Sequence, residues 1–284
     1  MSQDKNTIVN DLSMTGELFV PMTNDYLFRA MLQRNNTILK GLIRSLLGLG
    51  EEDIKSVIIK NPIELGEAID ESTFILDILV ELNDSELINL EMQVINEKNW
   101  VERSLAYLCR TYSAMGKDET YIDLKPVHQI GILNFTLFED APEFYANYDF
   151  LNVKSHRPYS DKLKLSVLDL TRIDLATEED KKMELDYWAE LFKSETWEEI
   201  CMLAEKEPIF SEVATEVQKL SKEEKIRLQC LAREDYYRTQ RDNEKYFNRV
   251  KQELEEELAK KDKAISEQQK LIEELQAKLE AKGN

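Results

Sequence analysis

The pattern of this chain predicts an α/β fold: a mixed sheet flanked by helices, then an α-helical region and a C-terminal coiled coil. Three observations carry that reading. As far as residue 176, short β-branched or alternating runs interleave with amphipathic stretches. From Thr177 onward glycine vanishes until the extreme terminus, Pro208 is the sole proline, and charged residues crowd together. Past residue 246, apolar residues recur every seven positions. The expected divisions are an arm over 1–20, an α/β domain over 21–176, a helical region over 177–245 and a coiled-coil tail over 246–284.

The elements follow in order. Residues 25–47 read as one amphipathic helix, with Leu27, Met31, Ile38, Leu42 and Leu46 at helical spacing. Gly48, Gly50 and the acids Glu51, Glu52 and Asp53 end it. Residues 54–59 are β-branched and read as a strand, and 62–72 as a connecting loop. A hairpin over about 73–82 and 87–95 turns at Asn83-Asp84-Ser85. Residues 99–115 read as a helix with Gly116 at its C-cap. Strands are expected over 127–135, 148–153 and 164–170. Helices follow over 178–193, 195–206 and 208–219, the first opened by Thr177 with acids in its first turn. Ser221-Lys222-Glu223-Glu224 resembles a capping box opening a long last helix. In that helix one seam holds Phe247, Leu254, Lys261, Gln268 and Leu275, the other Leu258, Ile265, Ile272 and Leu279. Polar residues on a seam fix register or oligomer state, and a homodimer through this tail is the expected assembly.

The chemistry concentrates in the hairpin. Asp77 is a lone acid in the apolar run Phe74–Val80. In Asn89-Leu90-Glu91-Met92-Gln93-Val94 polar and apolar residues alternate, so Glu91 and Gln93 share one face of a strand and Leu90, Met92 and Val94 the other. Adjacent hairpin strands place Asp77 beside Glu91, and two converging carboxylates make a hard-oxygen site for a divalent cation, typically Mg2+.

An acid on one strand followed by Glu-x-Lys on the next resembles the PD-(D/E)xK nuclease signature, here with Gln93 in the Lys position. The surrounding residues resemble the recombination-promoting nuclease (Rpn) family, a transposase-like PD-(D/E)xK group. The resemblance rests on Thr23-Asn24-Asp25-Tyr26-Leu27-Phe28-Arg29, Ile75-Leu76-Asp77-Ile78, Leu90-Glu91-Met92-Gln93 and Arg103 with Tyr107. It continues through Tyr187–Phe192, Ala204–Pro208 and Ala232-Arg233-Glu234, covering roughly residues 20–240. It implies a restriction-endonuclease-like sheet and a metal-dependent DNA endonuclease. Asp77 and Glu91 would hold Mg2+ (or Mn2+), Gln93 would position water, and Asp25 would serve as a third acid. Arg103 and Tyr107, one helical turn apart, would contact phosphate and a catalytic carboxylate. Gln93 departs from the signature, because a neutral amide orients water but cannot act as a base. That departure keeps a second reading open: a degenerate nuclease fold retained as a scaffold, working through its coiled coil.

Composition limits the alternatives. Hydrophobic residues make up 42%, enough for a packed core. The net charge of −19 opposes DNA binding unless cations are gathered locally. Lys154, His156, Arg157, Lys162 and Lys164 are the candidates. The cysteines 109, 201 and 230 are far apart and odd in number, which fits reduced thiols and neither a disulfide framework nor a zinc site. The two histidines, 128 and 156, have no ligand spacing, and no phosphate-loop motif is present. With no apolar run of membrane length and no basic-then-apolar leader, the expected location is cytoplasmic, without a membrane partner.

Overall fold

The structure is a computed structural model that describes residues 14–63, 65, 78–114 and 120–282. Strands β1 (Val57–Ile59), β2 (Ile78–Leu82), β3 (Glu86–Gln93), β4 (Val127–Leu133), β5 (Tyr145–Asp149) and β6 (Leu163–Asp169) form one sheet in the order β1-β2-β3-β4-β6-β5. The pairs β1–β2, β2–β3 and β5–β6 are antiparallel; β3–β4 and β4–β6 are parallel. The tight turn after β2 uses left-handed Asn83 and Asp84, residues that tolerate that conformation. Asn83 also fastens the turn to the chain before β1, accepting from Lys55 N at 2.7 Å and donating to the Asp53 carbonyl at 2.7 Å.

One face of the sheet is covered by helices. They are α1 (Asp25–Arg34) and α2 (Asn36–Leu47), then, after helix α3 (Trp100–Ser113) and short α4 (Glu178–Lys182), α5 (Leu185–Lys193), α6 (Trp197–Lys206) and α7 (Pro208–Lys222). Ile78, Val80, Ile88, Leu90, Ile130 and Ile132 share one buried core with Tyr26, Leu42, Trp188 and Phe210. Each such side chain, taken fully from water, contributes about 1.5–3 kcal/mol. Trp188 stacks edge-on to Phe210 at 5.1 Å, and its indole N–H donates to Ser45 Oγ at 3.1 Å. Helix α3 lies on the opposite face, where Trp100, Leu133 and Val167 form a small second cluster.

Several sequence expectations are corrected. The helix expected over 25–47 is two helices. Asn35 is extended, and its side chain accepts from Thr37 N at 3.0 Å and Ile38 N at 3.2 Å, capping α2. The helix expected over 178–193 breaks at Glu184, whose backbone is left-handed (φ 61°) and whose carboxylate is held by Arg44 at 2.6 Å. The strand expected at 148–153 is instead Tyr145–Asp149, followed by an isolated bridge of Leu151 to Pro158 and a turn over 153–155. Ser221 ends α7 rather than opening the last helix; its hydroxyl bonds the Gln218 carbonyl at 2.8 Å, and α8 (Glu224–Lys282) begins after extended Glu223. Most of the loop expected at 62–72, together with Asp77, Met115 and Gly116, lies outside the described residues.

The chain divides into two compact units, Met1–Asp235 and Tyr236–Asn284. In the first, the start of α8 packs through Ile226 and Cys230 into the core. The second is the remainder of α8, a single helix. Its heptad residues Phe247, Leu254, Leu258, Ile265, Ile272 and Leu275 are exposed, and Lys261 pairs with Glu257 at 2.7 Å. No helix among the described residues is long and apolar enough to cross a membrane.

A polar contact crosses β4, β6 and β5 inside the first unit. Ser166 Oγ donates to Asn147 Oδ1 at 2.6 Å, so the 2.6 Å contact between His128 Nε2 and Ser166 Oγ has the imidazole as donor. Burial, with the Lys164 charge adding to it, pushes the His128 pKa down to about 4. His128 is therefore neutral when folded but protonates near 6.5 when unfolded. Between those values the unfolded chain binds more protons, so stability falls as pH drops from about 6.5 to 4, by at most about 1.4 kcal/mol per pH unit. Urea unfolding across that range should show this slope reduced in His128→Gln; an unchanged slope would remove His128 as its source.

Candidate active site

Strand β3 separates core from chemistry. Its Ile88, Leu90 and Met92 enter the helical core, and its Asn89, Glu91 and Gln93 point to the face covered by α3. Parallel pairing sets Glu91 beside Gly131 of β4. Gly131 is where α3 comes closest. A Cβ built there would stand 2.2 Å from Trp100 Cζ2, so only glycine leaves room for the indole against the sheet. Trp100 opens α3, and one turn later the same helix delivers Arg103, whose guanidinium lies 5.6 Å from the indole centroid.

Arg103 gathers the polar residues of the strand. Its Nη2 donates to Glu91 Oε1 at 2.5 Å and to Gln93 Oε1, and its Nη1 donates to Glu97 Oε2 at 3.2 Å. The Gln93 amide nitrogen donates to the Ile95 carbonyl at 2.9 Å. That bond fixes the amide orientation: reversing it would set nitrogen against guanidinium and oxygen against carbonyl. Two hard oxygens, from Glu91 and Gln93, thus converge on one positive group. Glu91 is buried, and a buried carboxylate persists as an ion only with such a partner. Beneath them Asn89 donates to Gln129 Oε1 at 2.9 Å. Tyr107 is half-buried one turn beyond Arg103, with the Arg110 guanidinium 5.6 Å from its ring centroid.

Asp25 occupies different surroundings. It is buried at the start of α1, and Arg233 donates to both of its oxygens, Nε to Oδ1 at 2.9 Å and Nη2 to Oδ2. Its neighbour Asn24 caps α1 through Leu27 N at 3.0 Å. The Asn24 amide also donates to the Cys230 carbonyl at 3.0 Å and to Glu234 Oε1 at 2.7 Å. The Thr23-Asn24-Asp25 segment is therefore clasped to Ala232-Arg233-Glu234. Burial, with the charges of Asp25 and Glu234, pushes the Cys230 thiol up to about 12, which leaves it an inert structural thiol. Asp77 lies outside the described residues. Among the described residues no group of three or more His, Cys, Asp and Glu side chains is arranged to hold a metal.

A protein-family model described as PD-(D/E)XK nuclease family transposase matches residues 22–249. The chain belongs to this family. The mixed sheet and its helices are accordingly a PD-(D/E)XK nuclease fold, and the family's chemistry is hydrolysis of nucleic acid. No curated protein and no solved structure matches the chain. Within this PD-(D/E)XK fold, Glu91, Gln93 and Arg103 meet, whereas Asp25 is tied to Arg233. Sequence reasoning did not single out Gly131, Trp100 or Glu97. The one available signal was a lone glycine inside an apolar strand, a mark of close approach.

Gly131→Ala should lift Trp100 off the sheet and with it the start of α3. The expected result is a loss of about 1–3 kcal/mol, typical of overpacking, measured by denaturant unfolding. A variant as stable as wild type would show that this contact is easily relieved.

Proposed function

We propose that the chain is a metal-dependent DNA endonuclease in which Asp77 and Glu91 hold Mg2+ or Mn2+ and a metal-activated water hydrolyses the phosphodiester. The observation that supports this most is the convergence of Glu91 Oε1 and Gln93 Oε1 on the Arg103 guanidinium. Those oxygens are the hard donors that such a cation takes, and they already surround a positive group. The pairing of Ile78 with Leu90 is the hairpin register that the expected Asp77–Glu91 pairing requires. When bound, the cation supplies a Lewis acid and lowers the pKa of its water.

The protein's own groups divide the remaining work. Gln93, its nitrogen tied to Ile95, would offer its oxygen to the cation or its water. Arg103 supplies the charge that a Lys at position 93 would otherwise bring, and its fork suits phosphate. This arrangement speaks against the scaffold reading, which drew on the neutral Gln93. Asp25 acts through position, by fixing α1 against α8. Purified protein should nick plasmid DNA with Mg2+ or Mn2+, and Asp77→Ala or Glu91→Ala should abolish nicking. Arg103→Ala removes a competing cation, so calorimetry should show Mn2+ bound about tenfold tighter, a change of ~1.4 kcal/mol, while nicking falls. Wild-type protein that neither binds Mn2+ nor cuts would favour the scaffold.

The exposed heptad seam of Tyr236–Asn284 supports homodimerisation through the tail, bringing two active sites to one DNA. Sedimentation should give a dimer for the full chain and a monomer for Ile265→Glu. A dimer in both would move the interface off this seam.

A further inference from the structure

The connection between β5 and β6 is a built hairpin. Leu151 bridges Pro158, Asn152 N donates to the Arg157 carbonyl at 2.9 Å, and Tyr159 N donates to the Phe150 carbonyl at 2.8 Å. The Asn152 side chain closes the tip by accepting from Lys154 N and Ser155 N, each at 3.0 Å. Left-handed His156 (φ 54°) completes the turn, its N–H donating to the Asn152 carbonyl at 2.8 Å. This fixed backbone presents its apolar side chains outward. Tyr159 is 89% exposed and Val153 92%.

A second connection joins it. Lys162 Nζ donates to the carbonyls of Ile122 at 3.0 Å and Leu124 at 2.7 Å. That anchors the segment before β4 against the base of the hairpin, with Tyr121 82% and Ile122 87% exposed. Two loops at one end of the sheet therefore expose aromatic and branched side chains, and the hairpin also carries Lys154, His156 and Arg157. Residues 150–160 contain no acid, in a chain whose net charge is −19. Asp123, on the second loop, is turned into its own backbone, accepting from Thr120 N at 2.9 Å and Thr120 Oγ1 at 2.7 Å.

We propose that this surface is a single-strand contact for the DNA substrate: Lys154 and Arg157 hold backbone phosphates, and Tyr159 stacks on an unpaired base. The inference rests on the reading of the protein as a DNA nuclease. Cations interleaved with exposed aromatics are what a single strand requires, since its charge lies on the backbone and every base offers a stacking face. The strand register gives the spacing from the active site. Glu91 is level with Gly131 and Val167, and the hairpin joins β6 at Leu163. Four residues at about 3.3 Å each, across two strand spacings of about 4.8 Å, separate Glu91 from the root of the hairpin by ~16 Å. The contact therefore falls several nucleotides from the cut and grips DNA that is unpaired beside it.

The test uses full-length protein and a fluorescent single-stranded oligonucleotide with 2-aminopurine at successive positions. Tyr159→Ala should weaken binding about tenfold or more, leave the salt dependence unchanged, and abolish the 2-aminopurine quenching. Lys154→Glu with Arg157→Glu should reduce the slope of log K against log salt by about 1.4, at roughly 0.7 per phosphate contact on a single strand. All three residues are on the surface, and circular dichroism will confirm that the variants fold. Wild-type binding that the variants leave unchanged would overturn this surface while the nuclease reading stands. Binding to anionic phospholipid vesicles that is lost in the same variants, with DNA binding intact, would reassign it to a membrane. A wild-type protein that binds no DNA would overturn both this surface and the nuclease reading.

Discussion

The parallel pairing of β3 with β4 is the constraint on which the rest of the structure depends. Both strands lie inside the sheet and both of their faces must be covered. On one face this is simple: Leu90, Met92, Ile130 and Ile132 meet an apolar helical layer. The other face carries Asn89, Glu91, Gln93 and Gln129, so its cover must bring hydrogen bonds and a positive charge. Helix α3 brings both, and it approaches closely because residue 131 has no side chain. The burial of Glu91 and the placing of Arg103 are thus consequences of one pairing and one glycine. Removing Arg103 would take from buried Glu91 the guanidinium bonded to it, a loss of about 3–5 kcal/mol in comparable pairs.

The second buried ion pair, Asp25–Arg233, acts over a longer range. It joins the first helix of the fold to the start of the last, across 208 residues of sequence. Asn24 reinforces it by capping α1 and bonding α8 with the same side chain. Helix α1 is buried along nearly its whole length and packs in the core behind β3. Fixing its N-terminus therefore fixes the layer against which Leu90 and Met92 lie.

How much of this the sequence disclosed depended on how local the cause was. Alternation on β3 was legible because its period of two is set by strand geometry alone. The Asn83 turn and the Gly48 helix end were legible from left-handed backbone chemistry. The break at Asn35 escaped because the apolar spacing continues across it, although Asn35 is itself a capping residue. Glu184 gave no local sign, since its left-handed backbone is held by Arg44, 140 residues away. Asp25 illustrates the same limit. Its place at a helix start was readable, but its partner was not, because nothing local links Asp25 to Arg233. In the candidate site, Glu91, Gln93 and Arg103 were named in advance. That they share one point follows from Trp100 seated on Gly131, a contact between segments that only folding brings together.

The Gln at position 93 then takes on a different meaning. A Lys in that position combines three things: a positive charge, a hydrogen-bond donor and, if its pKa falls, a base. Here the first two come from Arg103 on the neighbouring helix, within reach of Glu91 and Gln93 together. The third cannot, because a guanidinium does not lose its proton at any working pH. Separating charge from basicity still permits hydrolysis when the water is acidified by a metal, since the hydroxide then forms without a strong protein base. It forbids any mechanism in which residue 93 removes the proton itself. On the proposed reading, the exchange of Lys for Gln takes proton removal away from residue 93, and a bound metal would activate the water beside the fixed positive charge of Arg103.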